Sequence, residues 1–367
     1  SRKTGRNNNK SPETSKKLYA VGVNNSINQT AMNIQEIKEV VQSSHLNFLI
    51  GAGLSTPFLP LLGDIETRLS NETKSAERTK IKKEYFEKVM MPNLEIVSDK
   101  INAGKKSDFD KTYKDYKDFF ELLSHILLKR ESTILSKQTN IFTTNIDILM
   151  ETVLEQSGLE YNDGFTGRIN STFSLSNFKK SILKRSLHFE NVSEIPMFNL
   201  IKIHGSLTWN KTDNKISFSK LSHFDKSLLK KKDKDFEEQY QKLAIVNPEK
   251  KKLEETVVDL TYYELLRMYS SELEKENAVL FVMGFSMEDE HIREITLRAA
   301  NSNPTLKIYI FCHGKDNNSK MRNKMEIDKL RYSNIDIVEP TEGENLTLEK
   351  INESYFKEIL NTMSHES

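Results

Sequence analysis

Short apolar runs alternate along the chain with stretches in which apolar residues recur every three or four positions. Residues 46–50, 140–143, 199–203, 279–283, 307–311 and 335–338 are strand-sized runs. Helical spacing marks Ile34, Ile37, Val40 and Val41, the segment 65–69, 80–90, 113–130 (Phe119, Leu122, Leu123, Ile126), 149–154, 260–268 and 289–300. Residues 207–209 and 216–218, joined by a segment that contains Lys-Thr-Asp-Asn-Lys, predict a β-hairpin. Strands alternating with helices predict a doubly wound parallel sheet of the α/β, Rossmann-like class. Residues 66–130 and 160–195 fall between sheet segments, and they predict a mostly helical inserted lid. The tail 1–30, rich in Lys, Arg, Asn and Ser, has no sustained period. This leaves one domain over 31–345 and a C-terminal helix or tail at 346–367.

Composition narrows the field. Fifty-four Lys and Arg balance 53 Asp and Glu, for a net charge of +1 in 367 residues. That balance gives no electrostatic footprint for nucleic acid or a membrane surface. The longest apolar runs are too short to span a bilayer. A single cysteine, Cys312, excludes a disulfide framework and any multi-cysteine zinc site, so no metal is expected. Residues 1–30 hold no secretory core segment, and the expected location is the cytoplasm.

Candidate chemistry gathers where the predicted strands end. Gly51-Ala52-Gly53-Leu54-Ser55, Thr144-Asn145-Ile146-Asp147, His204-Gly205, Gly284-Phe285-Ser286 and Cys312-His313-Gly314 each follow a strand. Open α/β sheets bind ligands in the crevice at the carboxyl ends of their strands. A glycine turn there lets backbone N–H groups approach a pyrophosphate, although a tight turn explains the same glycines and Thr56 stands where a third would begin. Asn145 and Asp147 suit helix capping as well as gripping a polar ligand. A strand-end histidine beside glycine is well placed for proton transfer. Ser286 and Asp289 have the spacing of a capping arrangement, and His291 follows them.

Four of these segments, in this order and spacing, resemble the NAD-binding core of the sirtuins. The first is similar to the family's GAGxS loop, the second to its QNIDxL motif with Thr144 in place of Gln, the third to its catalytic HG and the fourth to its GTS loop. Residues 284–292 resemble still more the GYSxxDxHI signature of bacterial sirtuin-like domains in antiphage defence proteins. The cysteine module of deacylating sirtuins is missing, and Pro60-Leu61-Leu62-Gly63-Asp64 stands where a PDFR-like segment normally follows.

The resemblance implies an NAD⁺ glycohydrolase releasing nicotinamide and ADP-ribose. Asp147 would fix the nicotinamide carboxamide. Asn145, beside Thr144, would contact the ribose and position water. His204, beside Gly205, would take a proton. Gly51, Ala52, Gly53 and Ser55 would hold the pyrophosphate. Gly284, Phe285 and Ser286 would line the adenosine side, with His313 and Cys312 near adenine. An effector that depletes NAD⁺ on infection would need gating. The chain has no Walker A motif, so a homo-oligomer and a separate hexameric P-loop ATPase or translocase are the partners the resemblance implies. A zinc-free deacylase and a non-catalytic nucleotide sensor remain the alternatives.

Overall fold

The computed structural model describes residues 34–61, 63–132, 134–188, 190–212, 215–221, 227–245, 260–314, 317–340 and 344–364. The expected basic tail lies outside them. The strands among the described residues are β1 (His45–Ile50), β2 (Gln138–Thr143), β3 (Tyr161–Asn162), β4 (Phe165–Thr166), β5 (Thr172–Phe173), β6 (Leu183–Arg185), β7 (Val192–Glu194), β8 (Met197–Lys202), β9 (Gly205–Thr212), β10 (Lys215–Phe218), β11 (Leu243–Ile245), β12 (Ala278–Met283), β13 (Lys307–Phe311) and β14 (Ile335–Val338).

Seven of them make a parallel sheet in the order β14-β13-β12-β1-β2-β8-β3. Its central strands are apolar on both sides because helices cover both faces, the arrangement that removes period-two alternation from the sequence. On one face Phe48 and Phe281 stack at 5.1 Å, with Phe119 from the helix Lys106–Lys129 edge-on to Phe48 and Phe356 from the C-terminal segment edge-on to Phe281. On the other, Phe142 meets Tyr269 of the helix Leu260–Leu273 at 5.0 Å, and Ile292 and Ala299 of the helix Glu290–Ser302 join the same core. The fold is thus the Rossmann-like, doubly wound α/β sheet that the alternation predicts.

A row of asparagines pins the register. Asn47 on β1 pairs with Asn140 on β2, and Asn140 with Asn199 on β8. Asn140 Nδ2 donates to Asn47 Oδ1 at 2.9 Å and to Glu272 at 3.1 Å; Asn199 Nδ2 donates to Asn140 Oδ1 at 3.0 Å. A slip of one residue would turn the whole row into the apolar layer on the opposite face.

Two expectations need correction. Residues 160–195 are not helical: they supply β3 to β7 and one 3₁₀ turn, Leu175–Lys179. Strands of two or three residues are too short to show a period. The 66–130 segment is helical, but its longest helix is no lid. Tyr116, Phe119, Phe120, Leu123, Ile126 and Leu127 are buried, so this helix is a structural layer of the sheet. Of the two alternatives for the C-terminal segment the helix forms, over residues 348–364, with Ile351, Phe356, Ile359 and Met363 buried. The hairpin forms as predicted, with β9 and β10 closing from Trp209–Phe218 to Thr212–Lys215, so β9 runs three residues and β10 one residue further toward the turn than the apolar runs alone indicate. It belongs to a second, antiparallel sheet ordered β11-β9-β10-β5-β4.

Candidate active site

The sheet order reverses between β1 and β12. From β1 the sheet extends one way through β2, β8 and β3; from β12 it extends the other way through β13 and β14. The loops leaving β1 and β12 meet over this switch point. Gly51 N–H donates to Met283 C=O at 3.0 Å, and Gly53 N–H to Gly284 C=O at 2.9 Å. A Cβ on Gly51 would lie 2.5 Å from the Gly284 oxygen, and one on Gly284 (φ +62°) would lie 2.6 Å from Leu54 N. Steric contact between two backbones therefore accounts for these glycines, and two N–H groups of the turn Gly51–Ser55 are engaged by the neighbouring loop. Ala52 and Phe285 are half-buried and Ser286 is exposed, so they form the rim. Lys324 Nζ donates to Ser286 C=O at 2.9 Å.

The loop after β2 is fixed from below. Thr143 Oγ1 donates to Ile50 C=O at 2.8 Å and accepts Asn145 N–H at 3.0 Å. Thr144 is half-buried. Asn145 is 6% exposed. Its Nδ2 reaches Ser55 Oγ at 3.4 Å, and Ser55 Oγ lies 3.2 Å from the Tyr116 hydroxyl. Ser55 is thus buried behind Asn145, away from the rim. Asn145 Oδ1 is buried with no hydrogen-bond partner among the described residues. Capping falls instead to Asp147, whose Oδ1 accepts Leu149 N–H at 3.0 Å ahead of the helix Leu149–Gln156. Asn93 Oδ1 accepts Ile148 N–H at 2.9 Å. Burial, with the Asp147 charge second, pushes the Tyr116 hydroxyl well above the ordinary tyrosine range, so it stays a neutral hydrogen-bonding group.

His204 ends the passage from β8 into β9, and Gly205 turns the chain at φ +78°. The ring is mostly buried, and Nε2 lies 3.1 Å from Asp289 Oδ2. Asp289 also caps its helix, accepting Ile292 N–H at 3.3 Å. Strands β8 and β12 are separated by β2 and β1, so the pair joins segments whose strands lie roughly 14 Å apart at about 4.8 Å per strand. It ties together the two halves of the sheet on either side of the switch point. Sequence spacing offered Asp289 only as a cap; its pairing with His204, 85 positions earlier, is a property of the fold. Tyr116, inside an ordinary amphipathic helix, gave no signal at all.

The last strand-end group lies one strand beyond β12. Cys312 is buried, and burial pushes its thiol up to about 11. His313 is exposed, with Nδ1 3.4 Å from Leu346 C=O. Among the described residues no group of three or more His, Cys, Asp or Glu is placed to hold a metal ion.

No curated protein matches the chain. A family model for the SIR2-like domain matches residues 139–338, more than half of the 367 residues and the span from β2 to β14. It includes Asn145, Asp147, His204, Gly284 and Asp289, while the Gly51–Ser55 turn precedes it. With a doubly wound sheet, the matched span and these groups at its carboxyl edge, the chain belongs to the SIR2-like domain family, whose members use NAD⁺.

Proposed function

We propose that the chain hydrolyses NAD⁺ to nicotinamide and ADP-ribose. The observation that carries this reading is Asn145: a buried residue whose backbone N–H is held by the Thr143 hydroxyl and whose carboxamide nitrogen is held by Ser55, leaving the carboxamide oxygen unpartnered among the described residues at the carboxyl edge of the sheet. A buried acceptor without a donor costs about 1–3 kcal/mol, and a ribose hydroxyl or an attacking water supplies the missing donor. The residues therefore fit the nucleotide.

In the reaction the bond from ribose C1′ to the nicotinamide nitrogen breaks, and its electron pair leaves with neutral nicotinamide. Positive charge develops on the ribose. Water adds at C1′ and gives up a proton, which His204 accepts. The Asp289 carboxylate 3.1 Å from the imidazole stabilises the charge the ring then carries, as in other carboxylate–histidine arrangements. Asn145 orients the water and ribose, and Ser55 acts through Asn145. Asp147 takes the nicotinamide carboxamide. The Gly51–Ser55 turn with Gly284, Phe285 and Ser286 takes the pyrophosphate and adenosine side, and His313 the adenine rim. Positioning and electrostatics carry the rate.

By the same resemblance, the chain acts in the cytoplasm as a gated effector of antiphage defence, as an oligomer or with a separately encoded P-loop ATPase. Among the described residues no helix is long and apolar enough to cross a membrane. The test is nicotinamide release by the purified chain at rising concentration, alone and with its genomic neighbour. Release that disappears in Asn145→Ala and His204→Ala supports hydrolysis. Stabilisation by NAD⁺ without release in any assembly would replace it with a sensor, and O-acyl-ADP-ribose as product would replace it with a deacylase.

A further inference from the structure

A buried charged pair lies under the Asn145 loop, and the hydrolysis just described does not use it. Lys202 ends β8, two residues before His204. Its side chain is 3% exposed, and Nζ lies 2.7 Å from Glu151 Oε1 on the helix Leu149–Gln156. The same ammonium donates to the backbone carbonyl of Asp147. Glu151 Oε2 is buried without a partner among the described residues. Other acidic groups face this spot: Asp147 from the same loop, and Glu155 and Asp163 with the Tyr161 hydroxyl, which donates to Glu155 at 2.8 Å. Burial pushes both Glu151 and Asp163 up, and Lys202 opposes it at each.

Stability alone is a poor account of such a pair. Desolvating two charges costs about what their attraction returns, and apolar residues of similar size commonly do as well. What apolar residues cannot do is hold a carbonyl. Lys202 is covalently two residues from His204 and hydrogen-bonded to the loop that carries Asn145 and Asp147.

We propose that Lys202 is a positioning residue: held by Glu151, its ammonium grips the Asp147 carbonyl and fixes the Asn145–Asp147 loop to the strand that delivers His204. Its effect on turnover rests on the hydrolase reading, whereas its effect on the loop does not. Removing the grip frees the loop by a fraction of its length, and a misplacement of about 1 Å costs on the order of 100-fold in rate.

Lys202→Met alone strands the Glu151 charge and is prone to unfold, so the decisive variant is the double replacement Lys202→Met with Glu151→Leu, which removes both charges. Two measurements are made on the full chain: amide hydrogen exchange over residues 144–149, and nicotinamide release at saturating NAD⁺ in whichever assembly of the unmodified chain is active. The expected result is a melting temperature close to that of the unmodified chain, faster exchange over 144–149, and kcat lower by about 100-fold with KM changed much less. Lys202→Arg, which keeps a cation and a donor, restores part of the rate. Unchanged exchange in a folded double variant overturns the inference. Faster exchange with undiminished kcat overturns its catalytic half. If the unmodified chain releases no nicotinamide in any assembly, the hydrolase reading fails by itself, and exchange still decides the role of Lys202.

Discussion

The strands β1, β2 and β8 carry two sets of buried polar side chains, one in mid-strand and one just past their carboxyl ends, and the two sets are finished differently. In mid-strand, Asn47, Asn140 and Asn199 are bonded to one another and to Glu272. Asn199 keeps one oxygen spare at the end of the row. At the carboxyl ends, Asn145 is anchored on its nitrogen side and left open on its oxygen side, and His204 is tied to a carboxylate from the far half of the sheet. Both sets thus leave one buried oxygen open. What separates them is position: Asn199 lies in mid-strand, whereas Asn145 lies past the carboxyl ends of the strands, where open α/β sheets bind their ligands.

The contrast breaks most severely where no side chain is involved. Gly51→Ala or Gly284→Ala drives a methyl group into backbone 2.5–2.6 Å away, and neither backbone can yield without pulling β1 from β12. Loss of soluble, cooperatively melting protein is expected, at a cost beyond about 4 kcal/mol; a variant melting within a few degrees of the unmodified chain would contradict it. Next in size are Asn145→Ala and His204→Ala, each expected to slow nicotinamide release by on the order of 10² to 10⁴ with the melting curve nearly in place. Asp289→Asn keeps the helix cap, since Asn caps as well as Asp. It removes the charge beside His204, so a fall of roughly tenfold or more in kcat is expected without loss of stability. Asn140→Ala is the mirror experiment. It opens the ladder, lowers stability by about 1–3 kcal/mol, and leaves turnover of the folded protein unchanged.

The smallest effect concerns pH. Burial raises the Glu151 carboxyl from 4.5 to about 7. The folded state therefore holds this proton more tightly than the unfolded chain. The stability it contributes is complete below about pH 4.5 and is lost as pH rises through 7. Glu151→Gln, fixed in the neutral form, is expected to flatten the decline in unfolding free energy across that window, measured by denaturant titration at stepped pH. An unchanged slope would assign the decline to other groups.

Much of this architecture is legible in the sequence because it depends on local pattern. Six of the seven parallel strands hold at least two adjacent apolar residues, and every candidate group falls just beyond a strand. β3 escapes because two residues, Tyr161 and Asn162, carry no period. The helix Lys106–Lys129 shows its apolar stripe plainly, but a stripe does not say what it packs against, so a layer of the core reads as a lid. The site is legible as residues and illegible as connections. Asn145 to Ser55 spans 90 positions, and His204 to Asp289 spans 85. Neither spacing obeys a local rule, because the contacts are made by the reversal of strand order at the switch point.

His204 also stands at a joint. β8 of the parallel sheet ends at Lys202, and β9 of the antiparallel sheet begins at Gly205, so only two residues connect the sheets there. A connection that short has no slack. Ile203 N–H donates to Thr143 C=O of the larger sheet at 2.9 Å on one side of His204, and Gly205 pairs with Ile245 of β11 on the other. His204 is attached once more, through Asp289, to the larger sheet's far half. The small sheet is thus in series with His204, and whatever steadies β9, β10 and β11 steadies that side of the joint.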